Sequence, residues 1–193
     1  MRLSEFAKGI LSSYEAGDRR DYITDRISDP CIQIVQSLAD MKAHRRELQS
    51  ETSQCVAYRL KGEKIETLAA DPLKLESLNS EIAALDMQLA RNEAVLQALD
   101  SFFGPNNGDP TLVGLEKALA NAKTGIERYQ NSINRVVATY LAMGGWTMET
   151  IRNHPQVKGE IYYCEPKIAS YKADQEILEA RISQLEAILN SEA

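Results

Sequence analysis

Apolar residues recur in alternating steps of three and four along most of the chain, the spacing that lines one face of a helix. The most regular run passes through Leu75, Leu78, Ile82, Leu85 and Leu89 to Leu96, Leu99 and Phe103, with Asn92 as its single polar position. That is a heptad seam, and a lone Asn in such a seam is a candidate for setting register or oligomeric state. A second run extends from Leu112 through Leu119, Ile126, Tyr129, Ile133 and Val136 to Tyr140 and Met143. A third passes through Ile168, Tyr171, Gln175, Leu178, Ile182, Leu185 and Leu189. The stretch after Pro30 holds the spacing with polar interruptions at Arg45 and Thr52, and Leu3, Phe6, Ile10, Leu11 and Tyr14 mark a short amphipathic helix near the N-terminus.

Three Asp-Pro pairs punctuate these runs: Asp29-Pro30, Asp71-Pro72 and Asp109-Pro110. An Asp carboxylate accepts hydrogen bonds from the free N–H groups of a first helical turn. A Pro at the next position has no N–H to leave unsatisfied. All three pairs are therefore expected to start helices, with Glu165-Pro166 as a weaker version of the same signal. The dense turn signal at 104–108 and the pair Gly144-Gly145 mark stops. The expected elements are helices over about 31–70 (bent or frayed near Gly62), 72–103, 110–143, a short 147–153 and 166–190. Residues 1–29 form a short helix and charged linker, and 30–193 the main body. A short connection between the equally long 72–103 and 110–143 helices predicts an antiparallel hairpin. The fold class is all-α: long antiparallel heptad-patterned helices in an elongated coiled-coil or four-helix-type bundle.

Composition narrows the function classes. The chain is 44% apolar and 26% charged, with a net charge of −6, which excludes a disordered polar chain and argues against bulk attraction to nucleic acid. No run approaches the ~18 apolar residues of a membrane span. The first residues lack a signal-peptide core. Three cysteines, Cys31, Cys55 and Cys164, make neither a disulfide framework nor a zinc pattern, so a cytoplasmic setting is expected.

Candidate chemistry is sparse. His44 and Glu47 share a helix face but sit beside Arg45 and Arg46, a solvated pattern rather than a metal site. No phosphate loop or nucleophile elbow is present. No catalytic residue, metal or cofactor is expected. The apolar spacing across 137–153, with Gly144-Gly145 as a turn, resembles a helix-turn-helix, yet its second helix carries one base, Arg152, beside Glu149. The acids of 71–103 outnumber its bases six to two, the basis for a mimic of nucleic acid. The clearest concentration is aromatic: Tyr140, Trp146, Tyr162 and Tyr163 in a chain only 6% aromatic. Tyr and Trp are favoured interface anchors, so these four are the candidate partner-binding residues. The expectation is a non-catalytic helical scaffold, adaptor or assembly subunit that binds protein partners and self-associates as a homo-oligomer. The alternatives are a nucleic-acid-associated regulator using 137–153 and an acidic inhibitor.

Overall fold

In a computed structural model, residues 2–61, 64–69, 71–104 and 108–190 are described, with 57–61 and 64–69 described by backbone alone. The expected bend at Gly62 and the centre of the 104–109 turn lie outside the described residues. Seven helices hold most of the described chain, and no described helix is long and apolar enough to cross a membrane. The chain divides into two compact units, Met1–Thr111 with Ala187–Ala193, and Leu112–Glu186. Residues 1–29 do not stand apart as read from the sequence but form part of the first unit.

In the first unit, α1 (Leu3–Glu15) packs on α3 (Pro30–Gln54) and α4 (Pro72–Phe103), with α2 (Asp21–Ile27) beside α1 and α3. The amphipathic face expected of α1 buries Leu3, Phe6, Ala7 and Ile10. Helices α3 and α4 are antiparallel, as their cross-links show: Lys42 with Glu93 at 2.7 Å, Lys74 with Glu51 at 3.6 Å, and Arg45 with Asp86. Leu38, Leu48 and Cys55 meet Leu78, Leu85 and Leu89 along the seam. Each buried leucine contributes about 1.5–3 kcal/mol. Asn92 turns its amide across that seam, donating to Ser37 Oγ at 3.4 Å and to Met41 Sδ at 3.8 Å. The polar position thus has a partner within the same chain.

Two of the three Asp-Pro pairs start helices. Asp29 accepts from the Cys31 N–H at 2.9 Å and Asp71 from the Lys74 N–H at 3.0 Å, with Pro30 and Pro72 opening α3 and α4. The third behaves differently, because helix α5 (Leu112–Met143) begins two residues after Pro110. Asp109 instead pairs with the buried Arg26 guanidinium (Nε at 2.6 Å) and accepts from Thr111 Oγ1 at 2.7 Å. Arg26 also lies 4.0 Å over the Tyr22 ring. A buried guanidinium needs this compensation, and that need outweighs the local capping signal.

The expected helix over 31–70 stops at Gln54. Beyond it β1 (Val56–Lys61) and β2 (Lys64–Ala69) pair antiparallel, with Val56 opposite Ala69 and Lys61 opposite Lys64. The reason is legible afterwards. Val56, Tyr58, Ile65 and Thr67 are β-formers, and two residues beginning with Gly62 separate the strands, a hairpin spacing. Heptad-compatible Cys55 and Leu60 masked that signal.

The second unit contains α5, α6 (Met148–Asn153) and α7 (Pro155–Asn190). Helices α5 and α7 run antiparallel, linked by Lys123–Glu179 at 3.6 Å, Ser132–Glu160 at 2.6 Å and Tyr140–Gln156 at 2.7 Å. The expected start at 166 is too late: α7 begins at Pro155 and continues through Pro166. An interior proline forfeits one backbone bond, about 3 kcal/mol. Pro166 and Tyr162, whose carbonyl loses that bond, are both exposed, so water can solvate the carbonyl. Val157, Cys164 and Ile168 are buried around it and hold the helix. Within the first unit α4 has its antiparallel partner in α3, and within the second α5 has its own in α7.

Replacing Asn92 with Leu exchanges one long hydrogen bond, worth at most ~1 kcal/mol, for apolar burial worth about 1.5–3 kcal/mol. Asn92→Leu is expected to raise the melting temperature by roughly 2–4 °C, read by circular dichroism at 222 nm. A lower melting temperature would mean that the Ser37 contact is the stronger term.

Candidate functional site

The end of α5 turns sharply into α6. Gly144 and Gly145 have φ of 73° and 77°, a region that costs a β-carbon-bearing residue about 1–2 kcal/mol. Thr147 then caps α6: its Oγ1 accepts from the Thr150 N–H at 3.3 Å, and Thr150 Oγ1 accepts from the Thr147 N–H at 2.9 Å. This reciprocal pair satisfies two free helix donors. His154 closes α6 in an extended conformation, φ −64° and ψ 134°, as a residue before proline prefers. Pro155 opens α7. The corner buries Tyr140, Ile151 and Val157 together, flanked by Val136, Val137 and Ile161.

Tyr140, Trp146 and His154 form one aromatic group. Tyr140 and Trp146 meet edge-on at 5.6 Å, and the His154 ring lies 4.3 Å from Tyr140 and 5.6 Å from Trp146. The Gln156 N–H donates to His154 Nδ1 at 3.3 Å, so the ring proton belongs on Nε2, which faces the Tyr140 hydroxyl at 3.4 Å. That hydroxyl donates to Gln156 Oε1 at 2.7 Å. The polar ends of a buried Tyr and its neighbours are thus closed on one another. Around this anchor the surface is apolar: Leu141, Met143, Trp146 and Met148 are 47, 68, 41 and 47% exposed. Four large hydrophobic side chains are thus exposed within eight residues of sequence.

A second aromatic group lies along the α5/α7 seam. Tyr129 stacks on Tyr171 at 6.1 Å and meets Tyr163 edge-on at 6.4 Å. Lys167 Nζ donates to the Tyr163 hydroxyl at 2.6 Å, which raises the Lys167 pKa above its ordinary value. A β-carbon at Gly125 would stand 2.8 Å from the Tyr171 ring, so the ring packs directly on bare α5 backbone. Nearby, Glu160 accepts from Ser132 Oγ at 2.6 Å and from the Cys164 thiol at 3.2 Å. Those two donors, Ser132 first, hold its carboxyl below the usual range, while burial and then the Glu160 contact push the Cys164 thiol up.

The four residues selected from the sequence therefore divide. Tyr140 and Trp146 share the corner, with Tyr140 as its buried anchor. Tyr163 joins the seam group, and Tyr162, 84% exposed, makes no ring contact with a described aromatic residue. His154 and Gln156 are the corner residues that sequence reading passed over. Lys172 is another, and it shares a border with Arg152. They lie at an open groove of about 620 Å³ whose apolar lining comes from Ile133 and Val137 of α5 and Ile161 and Ile168 of α7. Met148 belongs to this groove as well. A signal existed: Val157, Ile161, Cys164 and Ile168 already continue the three-four spacing upstream of Pro166.

The remaining candidates are engaged locally. His44 lies on an exposed face between Glu47 at 3.6 Å and Glu81 at 3.5 Å. Lys42 and Arg45 pair with Glu93 and Asp86. Arg45, by hydrogen bond and charge, lowers the Asp86 pKa. Cys31, Cys55 and Cys164 are buried, and none forms a disulfide. Among the described residues no group of three His, Cys, Asp or Glu side chains is placed to hold a metal ion. No protein family, curated protein or solved structure matches the chain.

Because Glu160 is depressed in the fold, the stability it contributes is present above the ordinary carboxylate range and lost as pH falls through its lowered value. Ser132→Ala removes the first donor. The variant is expected to melt below the wild type at neutral pH, with the gap narrowing as the solution is acidified past that range. A gap independent of pH would assign the loss to packing alone.

Proposed function

We propose that the chain is a non-catalytic helical adaptor or assembly subunit that binds a protein partner through the α5–α6 corner of its second unit. The observation that carries this reading is the exposed apolar side chains of Leu141, Met143, Trp146 and Met148 beside the hydrogen-bonded Tyr140, His154 and Gln156. Interface hot spots combine a large aromatic with a well-packed support, and methionine adapts its shape to varied partners. The helix-turn-helix alternative has less support, since α6 is six residues long, buries Ile151 and offers Arg152 as its one base. The acidic-mimic alternative is weakened because Asp86 and Glu93 are paired within the unit and Asp100 accepts from the Leu3 N–H at 3.0 Å.

Self-association is a second part of the proposal. Ile126, Ile133, Leu178 and Ile182 remain only half-buried, as expected when a helix pair covers one side of each stripe. Sedimentation equilibrium at micromolar concentration tests it, and a monomer at all concentrations removes it.

The main test compares proteins retained from the native host by wild type, by Trp146→Ala and by Met143→Ser/Met148→Ser, with Met87→Ser on α4 as the exposed control. Loss of a hot-spot tryptophan is worth about 2 kcal/mol, roughly thirtyfold in affinity. Both corner variants should lose the same partner while Met87→Ser keeps it and helicity is unchanged. Retention by all variants, or melting of Trp146→Ala, would make the corner structural.

A further inference from the structure

The groove beside the corner has a charge pattern that the corner's exposed apolar side chains do not share. Its lining mixes apolar side chains, Ile168 buried and Ile133, Val137 and Ile161 half-buried, with the exposed amides of Gln130 and Asn134. Two exposed cations border it from different helices, Arg152 on α6 and Lys172 on α7. Neither is held by a carboxylate within 4 Å among the described residues, in contrast to Lys42, Arg45 and Lys123, each of which has one. Glu165 is the single acid in the lining. A net positive rim on a chain of net charge −6 is therefore local and selective.

The spacing fits a helix. The α5 contribution, 130, 133, 134 and 137, follows i, i+3, i+4, i+7, and the α7 contribution runs from 161 to 172, about three turns or 16 Å at 1.5 Å per residue. Two helices with an open, partly apolar valley between them offer the position that a third helix fills in a bundle.

We propose that this groove receives an amphipathic helix of a partner protein whose apolar stripe is flanked by Asp or Glu, with Arg152 and Lys172 fixing its orientation by ion pairing. This rests on the reading of the second unit as a partner-binding unit and names the chemistry of the partner. The two cations at the rim, set against the single acid Glu165, favour an acid-flanked partner helix as occupant, and a second copy of the chain is an outcome that the test below reads. Rim charges govern partner selection and association rate more than raw affinity, so the acidic flank acts as the selector and the valley as the source of binding energy.

The probe is a fluorescein-labelled helical peptide of about 18 residues with Leu at i, i+3, i+4 and i+7 and Glu on both flanks. A control carries Lys in place of each Glu. Anisotropy is measured against the full chain. The Glu peptide is expected to bind about tenfold tighter than the Lys peptide, and Arg152→Glu/Lys172→Glu is expected to reverse the order. Met87→Ser, on α4 and outside the groove lining, should leave both affinities unchanged. Equal affinity for both peptides, no saturable binding of either, or a Glu-peptide affinity untouched by the charge reversal would overturn the inference. Tighter saturable binding of a duplex DNA of about 20 base pairs would overturn it in favour of nucleic acid, and displacement of the peptide by unlabelled chain in favour of a second copy. If the peptide fails while Trp146→Ala still loses the native partner, the groove inference fails and the corner reading stands.

Discussion

A helix packed against one antiparallel partner can bury only one stripe, and the rest of this protein follows from that constraint. In both units two long helices share a single seam, α3 with α4 and α5 with α7. Such a seam has little depth, so side chains at its edges stay half-buried and each local device counts. In the first unit, α1 lays Leu3, Phe6, Ala7 and Ile10 over one end of the pair, and the buried Arg26–Asp109 contact ties the N-terminal segment to the residues that precede α5. The second unit has a single short helix at its corner. What that helix leaves uncovered is the apolar side chains of the corner and the valley beside it.

Much of the architecture was legible. The three-four spacing located α1, α4 and α5, and Asp29 and Asp71 act as the caps their positions implied. The failures arise where a second signal competes with the one that was read. Asp109 looks like a helix cap and serves as the counter-ion of Arg26. Pro166 looks like a helix start and sits inside α7, tolerated because its exposed side can be hydrated while Val157, Cys164 and Ile168 are buried. Cys55 and Leu60 extend a helical period across residues whose β-propensity prevails. Helix partners were not legible at all, because a heptad stripe declares that a partner exists without saying which.

The candidate site was legible in composition rather than in geometry. Clustering of aromatics pointed to the 140–163 region, but Tyr140 and Trp146 sit at the corner while Tyr163 meets Tyr129 edge-on along the seam. No sequence pattern announces that His154 and Gln156 close the polar ends of the anchor, since that cycle depends on the Gly144-Gly145 reversal bringing α7 back over α5. The anchor leaves Trp146 partly exposed in a fixed setting, which lowers the entropy lost when a partner covers it.

The central claim is that the α5–α6 corner is covered when the protein is at work. Hydroxyl-radical footprinting reads this side chain by side chain, since methionine and tryptophan oxidise according to their exposure. The purified chain and the same chain in native host extract are labelled and compared. The account predicts that oxidation of Met143, Trp146 and Met148 falls several-fold in the extract while Met87, 63% exposed on α4, is labelled at the same rate in both. Equal labelling of the corner in both samples, or protection of Met87 alone, would contradict it.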